Sequence, residues 1–215
     1  MKNTNVKRMV LLAMLAAVSY VLVYAIRIPV VMFLKYEPKD VVITIAGFLI
    51  GPMASFLISL VVSLLEMVTI SDTGWIGAVM NLLSSCAFAC VAAAVYKRRH
   101  TIGGAIAGLA LGSAAMIGTM LLWNYLITPL YMGVDRGQVA AMLVPVFLPF
   151  NALKAGLNSA FILTLYKPLV TALRRTGLVE GAAKRAGSGK AGVYLFAGAL
   201  LISCVLLLLV FQGKL

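Results

Sequence analysis

Apolar runs long enough to cross a lipid bilayer follow one another through most of this chain, and nothing else in the sequence restricts its fold so strongly. Met9–Ile26, Met53–Ile70, Trp75–Tyr96, Ile102–Trp123, Val139–Tyr166 and Val193–Phe211 each approach or exceed the roughly 20 residues a membrane helix needs. A shorter run, Val41–Ile50, ends at the helix-breaking pair Gly51-Pro52. Of 215 residues, 63% are hydrophobic and only 11% charged, with a mean hydropathy of +1.06; a soluble domain carries about 25% charged residues. One globular core cannot hide that much apolar surface, so lipid is its natural solvent. The runs are continuous rather than alternating, which argues against a β-barrel. The expected fold is all-α: a polytopic membrane helix bundle with a six-span core over 1–176, a cytoplasmic linker over 177–192 and one extra C-terminal transmembrane helix over 193–211.

Charge placement gives the topology. The net charge of +12 does not call for nucleic acid, because the Lys and Arg residues lie between the apolar runs. Lys2, Lys7, Arg8, Lys97, Arg98, Arg99, Lys167, Arg174, Arg175, Lys184, Arg185 and Lys190 share one side of this arrangement. Arg27, Lys35, Lys39, Arg136 and Lys214 take the other. The positive-inside rule makes the first side cytoplasmic. The N-terminus is then inside, while the loop Arg27–Asp40, Asp72, and Asp135 in the loop Pro129–Gln138 face out. The first run has the look of a signal peptide, but it is long and has no polar region before a cut site; we read it as an uncleaved span. The loop Arg27–Asp40 is apolar enough to dip into the membrane, which is allowed only where protein or a water-filled cavity covers its backbone.

Little in the sequence supports chemistry. Cys86, Cys90 and Cys204 lie inside apolar runs with neither disulfide nor metal-site spacing, and His100 stands alone in a basic loop. Gly189-Lys190 resembles the end of a phosphate-binding loop, but that pattern needs Gly at 184 and Ser or Thr at 191, where the chain has Lys and Ala. An intramembrane enzyme is therefore disfavoured, and no cofactor is expected. Active transport would need a partner to supply its energy.

Function must rest on the polar groups inside the spans. A charge at membrane depth is costly and marks a functional site by default. Glu66 and Lys154 stand out. Spacings of three and four put Asn151, Lys154 and Asn158 on one helix face, which suits a ligand site; the alternatives are a snorkelling lysine or an ion pair with Glu66. Glu66 ends a stripe of Ser55, Ser59 and Ser63, a spacing that suits close helix packing. Asn81 and Asn124 add amides, which both donate and accept and so suit a neutral heterocycle. Tyr36, Trp75, Trp123, Tyr125 and Tyr131 crowd the outer ends as an aromatic belt does, and some could stack on a flat ligand. Ala13 with Ala17, and Gly104 with Gly108 and Gly112, form small-residue faces for close helix packing, within this bundle or against another subunit.

Four segments together resemble a known family. They are Ala13-Met14-Leu15-Ala16-Ala17; Phe33-Leu34-Lys35-Tyr36-Glu37-Pro38-Lys39-Asp40 leading to Gly51-Pro52; Trp123-Asn124-Tyr125-Leu126-Ile127-Thr128-Pro129-Leu130-Tyr131; and Pro149-Phe150-Asn151-Ala152-Leu153-Lys154. They are similar to the substrate-binding S components of energy-coupling factor (ECF) vitamin transporters, above all the riboflavin-specific branch, over about Met9 to Arg175. The resemblance implies a bacterial cell-membrane protein that captures riboflavin from outside beneath the loop between spans 1 and 2. It implies docking on a transmembrane T component through the small face of span 1 (Ala13, Ala17), with two cytoplasmic ATPases supplying energy, and a toppling motion that releases the vitamin inside. Carried over by position, Asn151 and Lys154 match the flavin-binding motif, and Asn124 and Tyr36 match further pocket positions; Asn81 and Glu66 join them as candidate substrate-binding groups from the residue reading. Glu66 and the last helix have no place in the family pattern, and that helix reads as a loose appendage. The alternatives are an S component for another vitamin or small heterocycle, or a stand-alone secondary transporter. The latter would usually show internal repeats with paired broken helices, which this sequence lacks.

Overall fold

The computed structural model describes residues 2–32, 34–71, 73–175 and 190–213, with the side chains of 2–4, 174, 175, 190 and 191 left aside. The expectations for Phe33, Asp72, Lys214 and linker residues 177–189, with Lys184 and Arg185, lie outside the described residues, while residues 190–192 of the expected linker belong to the last helix. The element order is α1 (Lys2–Ala25), β1 (Ile28–Val31), β2 (Leu34–Tyr36), α2 (Lys39–Ile50), α3 (Pro52–Thr69), α4 (Gly74–Ser85), a π-helical turn (Cys86–Cys90), α5 (Val91–Arg98), α6 (Ile102–Met132), α7 (Arg136–Met142), a second π-helical turn (Leu143–Phe147), α8 (Leu148–Arg175) and α9 (Lys190–Phe211). α4 and α5, and likewise α7 and α8, are joined through the π-helical turns into single spans. Among the described residues, six segments are long and apolar enough to span a bilayer: 5–25, 52–69, 74–98, 102–132, 136–173 and 192–211. The second helix, α2, is the exception. Its 12 residues reach about 18 Å at ~1.5 Å per residue, well short of the ~30 Å hydrocarbon layer.

The loop between the first two helices is not irregular. β1 and β2 pair antiparallel, Ile28 with Tyr36 and Val31 with Leu34, so the backbone groups that face each other are paired within the hairpin. The loop expected to run to Asp40 stops at Pro38: Lys39 and Asp40 form the first turn of α2, and both are fully buried, at 1% and 0% exposure. A second boundary also moves. A loop is expected from Pro129, but α6 continues through it to Met132. The stop is Gly133, whose left-handed backbone (φ 64°) lets its N–H close onto the Pro129 carbonyl. The next helix then starts at Arg136, before the expected Val139, because the Asp135 carboxylate caps it by accepting from the Gly137 N–H at 2.7 Å.

The small-residue faces divide into two uses. Gly104, Gly108 and Gly112 are buried against the preceding span. A Cβ at Gly108 would lie 2.7 Å from the Ala92 carbonyl oxygen, and one at Gly112 2.5 Å from that of Phe88. This stripe is internal packing, so it is not open to another subunit. Ala13 and Ala17 are exposed, while Leu11, Leu15, Ala16, Ser19 and Val23 turn inward. α2 is wrapped by its neighbours: Val42, Ile43 and Ala46 pack with α1 and α3, and Val41, Ile45 and Phe48 with α5, α6 and α8.

The last helix is not a loose appendage. α9 lies on α8, where a Cβ on Gly156 would come within 2.6 Å of Cys204 Sγ. Cys204 is buried in one cluster with Val30, Leu34 and Tyr36 of the hairpin and Phe147 and Phe150. Gln212 Nε2 donates to the Pro29 carbonyl at 3.1 Å.

Gly108→Leu or Gly112→Leu should destabilise the bundle by about 1–3 kcal/mol, the usual cost of overpacking. Gly118→Ala, with nothing within 4 Å of the new methyl, should leave stability unchanged or slightly raised. Thermal unfolding in detergent separates the two outcomes.

Candidate functional site

A cleft opens at the hairpin end of the bundle, between α3, α4, α6 and α8. Its cavity volume is about 100 Å³, below the ~300–1,000 Å³ of sites that enclose a drug-sized ligand, and it is open at its mouth. Leu34, Met80, Met120 and Phe150 supply apolar wall; Asn81, Ser84, Asn124, Asn151, Lys154 and Glu66 supply polar wall; Arg27, Lys35, Glu37, Ser71 and Thr73 ring it on the hairpin and α3–α4 side.

Five of the six expected ligand-binding residues therefore converge on one cleft. On α8, Asn151 sits one turn above Lys154. Its amide donates to the Phe147 carbonyl at 2.7 Å, which leaves its carbonyl oxygen without a partner among the described residues. Asn124 of α6 is held in the same way: it donates to the Met120 carbonyl at 2.7 Å and accepts from Thr128 Oγ1 at 2.9 Å. Both amides are thus fixed in orientation by their own helices, with hydrogen-bonding capacity left over. Tyr36 is the exception. It does not line the cleft; it is buried behind the wall, where its hydroxyl donates to Asn158 Oδ1 at 3.0 Å. Burial, with Asp40 nearby, pushes its phenol above the ordinary value, which keeps it a donor. Tyr36 shares its strand face with Leu34, which does reach the cleft, but Tyr36 instead anchors the hairpin to α8 through Asn158. Trp75, Trp123, Tyr125 and Tyr131 also stay off the cleft lining, in keeping with a belt.

Beneath the cleft lies a network of charges that sequence reasoning missed in part. Glu66 and Lys154 do not pair with each other. Lys39 Nζ donates to both Glu66 oxygens, at 2.6 and 2.7 Å, and lies 3.3 Å from Glu37 Oε2. Asn81 Nδ2 donates to Glu66 Oε2 at 2.6 Å. Glu37 Oε1 accepts from Arg27 Nε at 2.9 Å, and the same guanidinium donates to the Ile70 carbonyl at 2.9 Å. Lys154 Nζ faces Asp40 Oδ2 at 3.4 Å and donates to Ser84 Oγ at 3.2 Å. Asp40 Oδ1 accepts from Ser85 Oγ at 2.5 Å, and its Oδ2 from Asn158 Nδ2 at 3.4 Å. Every charge there has an opposite charge beside it, as burial demands. One signal could have exposed Lys39 and Asp40: Pro38 followed by an acid directly before an apolar run is a helix start, so both residues had to be inside the helix.

Comparison with known proteins places the chain in a family. Residues 7–166 match the model of the family described as the substrate-specific component of ECF transporters. The riboflavin transporter RibU of Staphylococcus aureus is 29% identical over 179 residues, 79% of this chain and 93% of that protein. The RibU of Lactococcus lactis is 28% identical over 77% of this chain and 84% of its own length. The riboflavin transporter FmnP of Bacillus subtilis is 27% identical over 70% and 85%. A solved structure of the S component of a bacterial ECF transporter superposes with a TM-score of 0.67 at 27% identity, covering 81% of this chain and all of that one. The family match ends before α9.

Lys39→Met should cost about 3–5 kcal/mol, because it leaves Glu37 and Glu66 buried with no central cation. Adding Glu66→Gln should recover part of that loss. Unfolding midpoints in detergent check both; an additive pair would mean the two side chains are not coupled.

Proposed function

Because the chain belongs to the family of substrate-specific components of ECF transporters, we propose that it captures riboflavin for ATP-driven uptake. It is a multi-pass membrane transport protein and not an enzyme. The reading of the ligand is supported by one observation above all: Asn124, Asn151 and Lys154 line one cleft together with the apolar side chains of Leu34, Met80, Met120 and Phe150. A flavin ring is flat and apolar on its faces. One edge alternates carbonyl acceptors with an N–H donor. Fixed amides can both donate to and accept from such an edge, and a lysine ammonium can donate to a carbonyl. The three relatives named above as riboflavin transporters add to this.

In this proposal the hairpin end faces outside, with the N-terminus and the Lys97-Arg98-Arg99 loop in the cytoplasm, in line with the positive-inside rule. The protein works with a T component and two cytoplasmic ATPases. The exposed Ala13 and Ala17 of α1 form the docking face, since small residues let a partner helix approach closely. Asn81 and Glu66 serve the cleft from its α3–α4 side.

Purified protein carrying riboflavin should be yellow, with a flavin absorption spectrum. Asn151→Ala and Lys154→Met should each weaken riboflavin binding by roughly ten-fold or more, about 1.4 kcal/mol or more. Unchanged affinity in both variants removes the site assignment. Ala13→Trp or Ala17→Trp should leave riboflavin affinity intact and block uptake by the assembled transporter; retained uptake would remove the docking face.

A further inference from the structure

We propose that Asp40 is a positioning residue for ligand binding: from α2 it holds the Lys154 ammonium aimed into the cleft. This rests on the riboflavin reading of the site. Lys154 lines the cleft, yet its side chain is only 9% exposed. Of its three N–H bonds, one is directed to Ser84 Oγ at 3.2 Å and one is drawn toward Asp40 Oδ2 at 3.4 Å. That leaves a third donor for a ligand. A lysine stem has four rotatable bonds, so an ammonium that must meet a flat ligand at a fixed height needs fixing by other groups.

Asp40 is built for that task. It does not line the cleft and is fully buried. Its other oxygen is held at 2.5 Å by Ser85 of α4, and Asn158, one turn below Lys154 on α8, donates to the same oxygen that faces Lys154. Asn158 is in turn fixed by Tyr36 of the hairpin at 3.0 Å. The carboxylate is thus held from two sides, by α4 through Ser85 and by α8 through Asn158, which β2 braces in turn. Its distance to the ammonium is longer than the 2.6 Å bond Lys39 makes to Glu66. A loosely paired ammonium keeps its charge compensated and gives up little when a ligand carbonyl arrives. The two lysines of the network differ in this way: Lys39 is locked to its acid off the cleft, and Lys154 is steered by its acid on the cleft.

The test compares Asp40→Asn in two backgrounds, native and Lys154→Met, with riboflavin as the probe and full-length protein in detergent. Asparagine can still accept from Lys154 and donate to Ser85, but it removes the charge. In the native background Asp40→Asn should lower riboflavin affinity about ten-fold. It should also shift the absorption spectrum of bound flavin in the same direction as Lys154→Met does. In the Lys154→Met background it should change affinity less than two-fold, because there is no ammonium left to steer. Equal losses in both backgrounds, or no loss in the native one, would overturn the inference and leave Asp40 a structural tie. If Lys154→Met itself leaves riboflavin affinity unchanged, the site assignment fails first, which is a separate outcome. Should Asp40→Asn not fold, Asp40→Glu carries the same comparison: it keeps the charge, moves it by one methylene, and should give a smaller loss that again vanishes without Lys154.

Discussion

The double hydrogen bond from Lys39 to Glu66, with Glu37 beside it, is the interaction on which the binding end of this protein depends. Lys39 opens the short helix α2, Glu66 ends the inward face of α3, and Glu37 closes the hairpin. A fully buried ammonium holds all three elements to one point. Breaking such a cluster leaves uncompensated charge in a low-dielectric interior, a cost of several kcal/mol, so the hairpin, α2 and α3 keep one relative arrangement. Asn81 joins α4 to the same carboxylate, and Arg27 ties the end of α1 to Glu37 and to the Ile70 carbonyl at the end of α3. Charge in this bundle is a fastening for elements that apolar packing alone would let slide, because lipid is as apolar as their own side chains.

This fastening explains why α2 can be so short. A 12-residue helix cannot reach both membrane surfaces, and its ends would leave unpaired backbone groups at membrane depth. It is covered by α1, α3, α5, α6 and α8, and at its C-terminal end the Gly51 N–H closes onto the Gly47 carbonyl at 2.8 Å. α9 adds a layer outside α8 and touches the hairpin through Gln212, so the roof of the cleft is held from the lipid side as well as from within.

Much of this was legible in the sequence, for a physical reason. Charges and amides are so costly in lipid that Lys154, Asn151, Asn124, Asn81 and Glu66 announced themselves by being there, and all five reach the cleft. What stayed hidden lay next to a loop. Lys39 and Asp40 sit beside Pro38 and Glu37, where charge is ordinary, and only the folded hairpin shows that they are buried. The pairing of Glu66 with Lys154 was a reasonable guess from depth; each found a partner from α2 instead, because α2 enters between α3 and α8. Tyr36 lies behind the cleft wall because its hydroxyl is taken by Asn158 of α8, a long-range bond that no local pattern in the sequence reveals. Pro129 misled because a proline near a helix end removes only one bond, whereas the left-handed Gly133 ends the helix outright.

The cluster beneath the cleft contains three cations, Arg27, Lys39 and Lys154, and three carboxylates, Glu37, Asp40 and Glu66. Their charges sum to zero. A single elementary charge displaced through the membrane potential gains or loses about 2.3 kcal/mol per 100 mV. For a neutral set of ion pairs moving together, those contributions cancel. The membrane potential therefore neither pulls this cluster through the bilayer nor holds it back. Any movement of that end along the membrane normal is electrically silent as far as these six groups are concerned, and its driving force has to come from elsewhere than the transmembrane field.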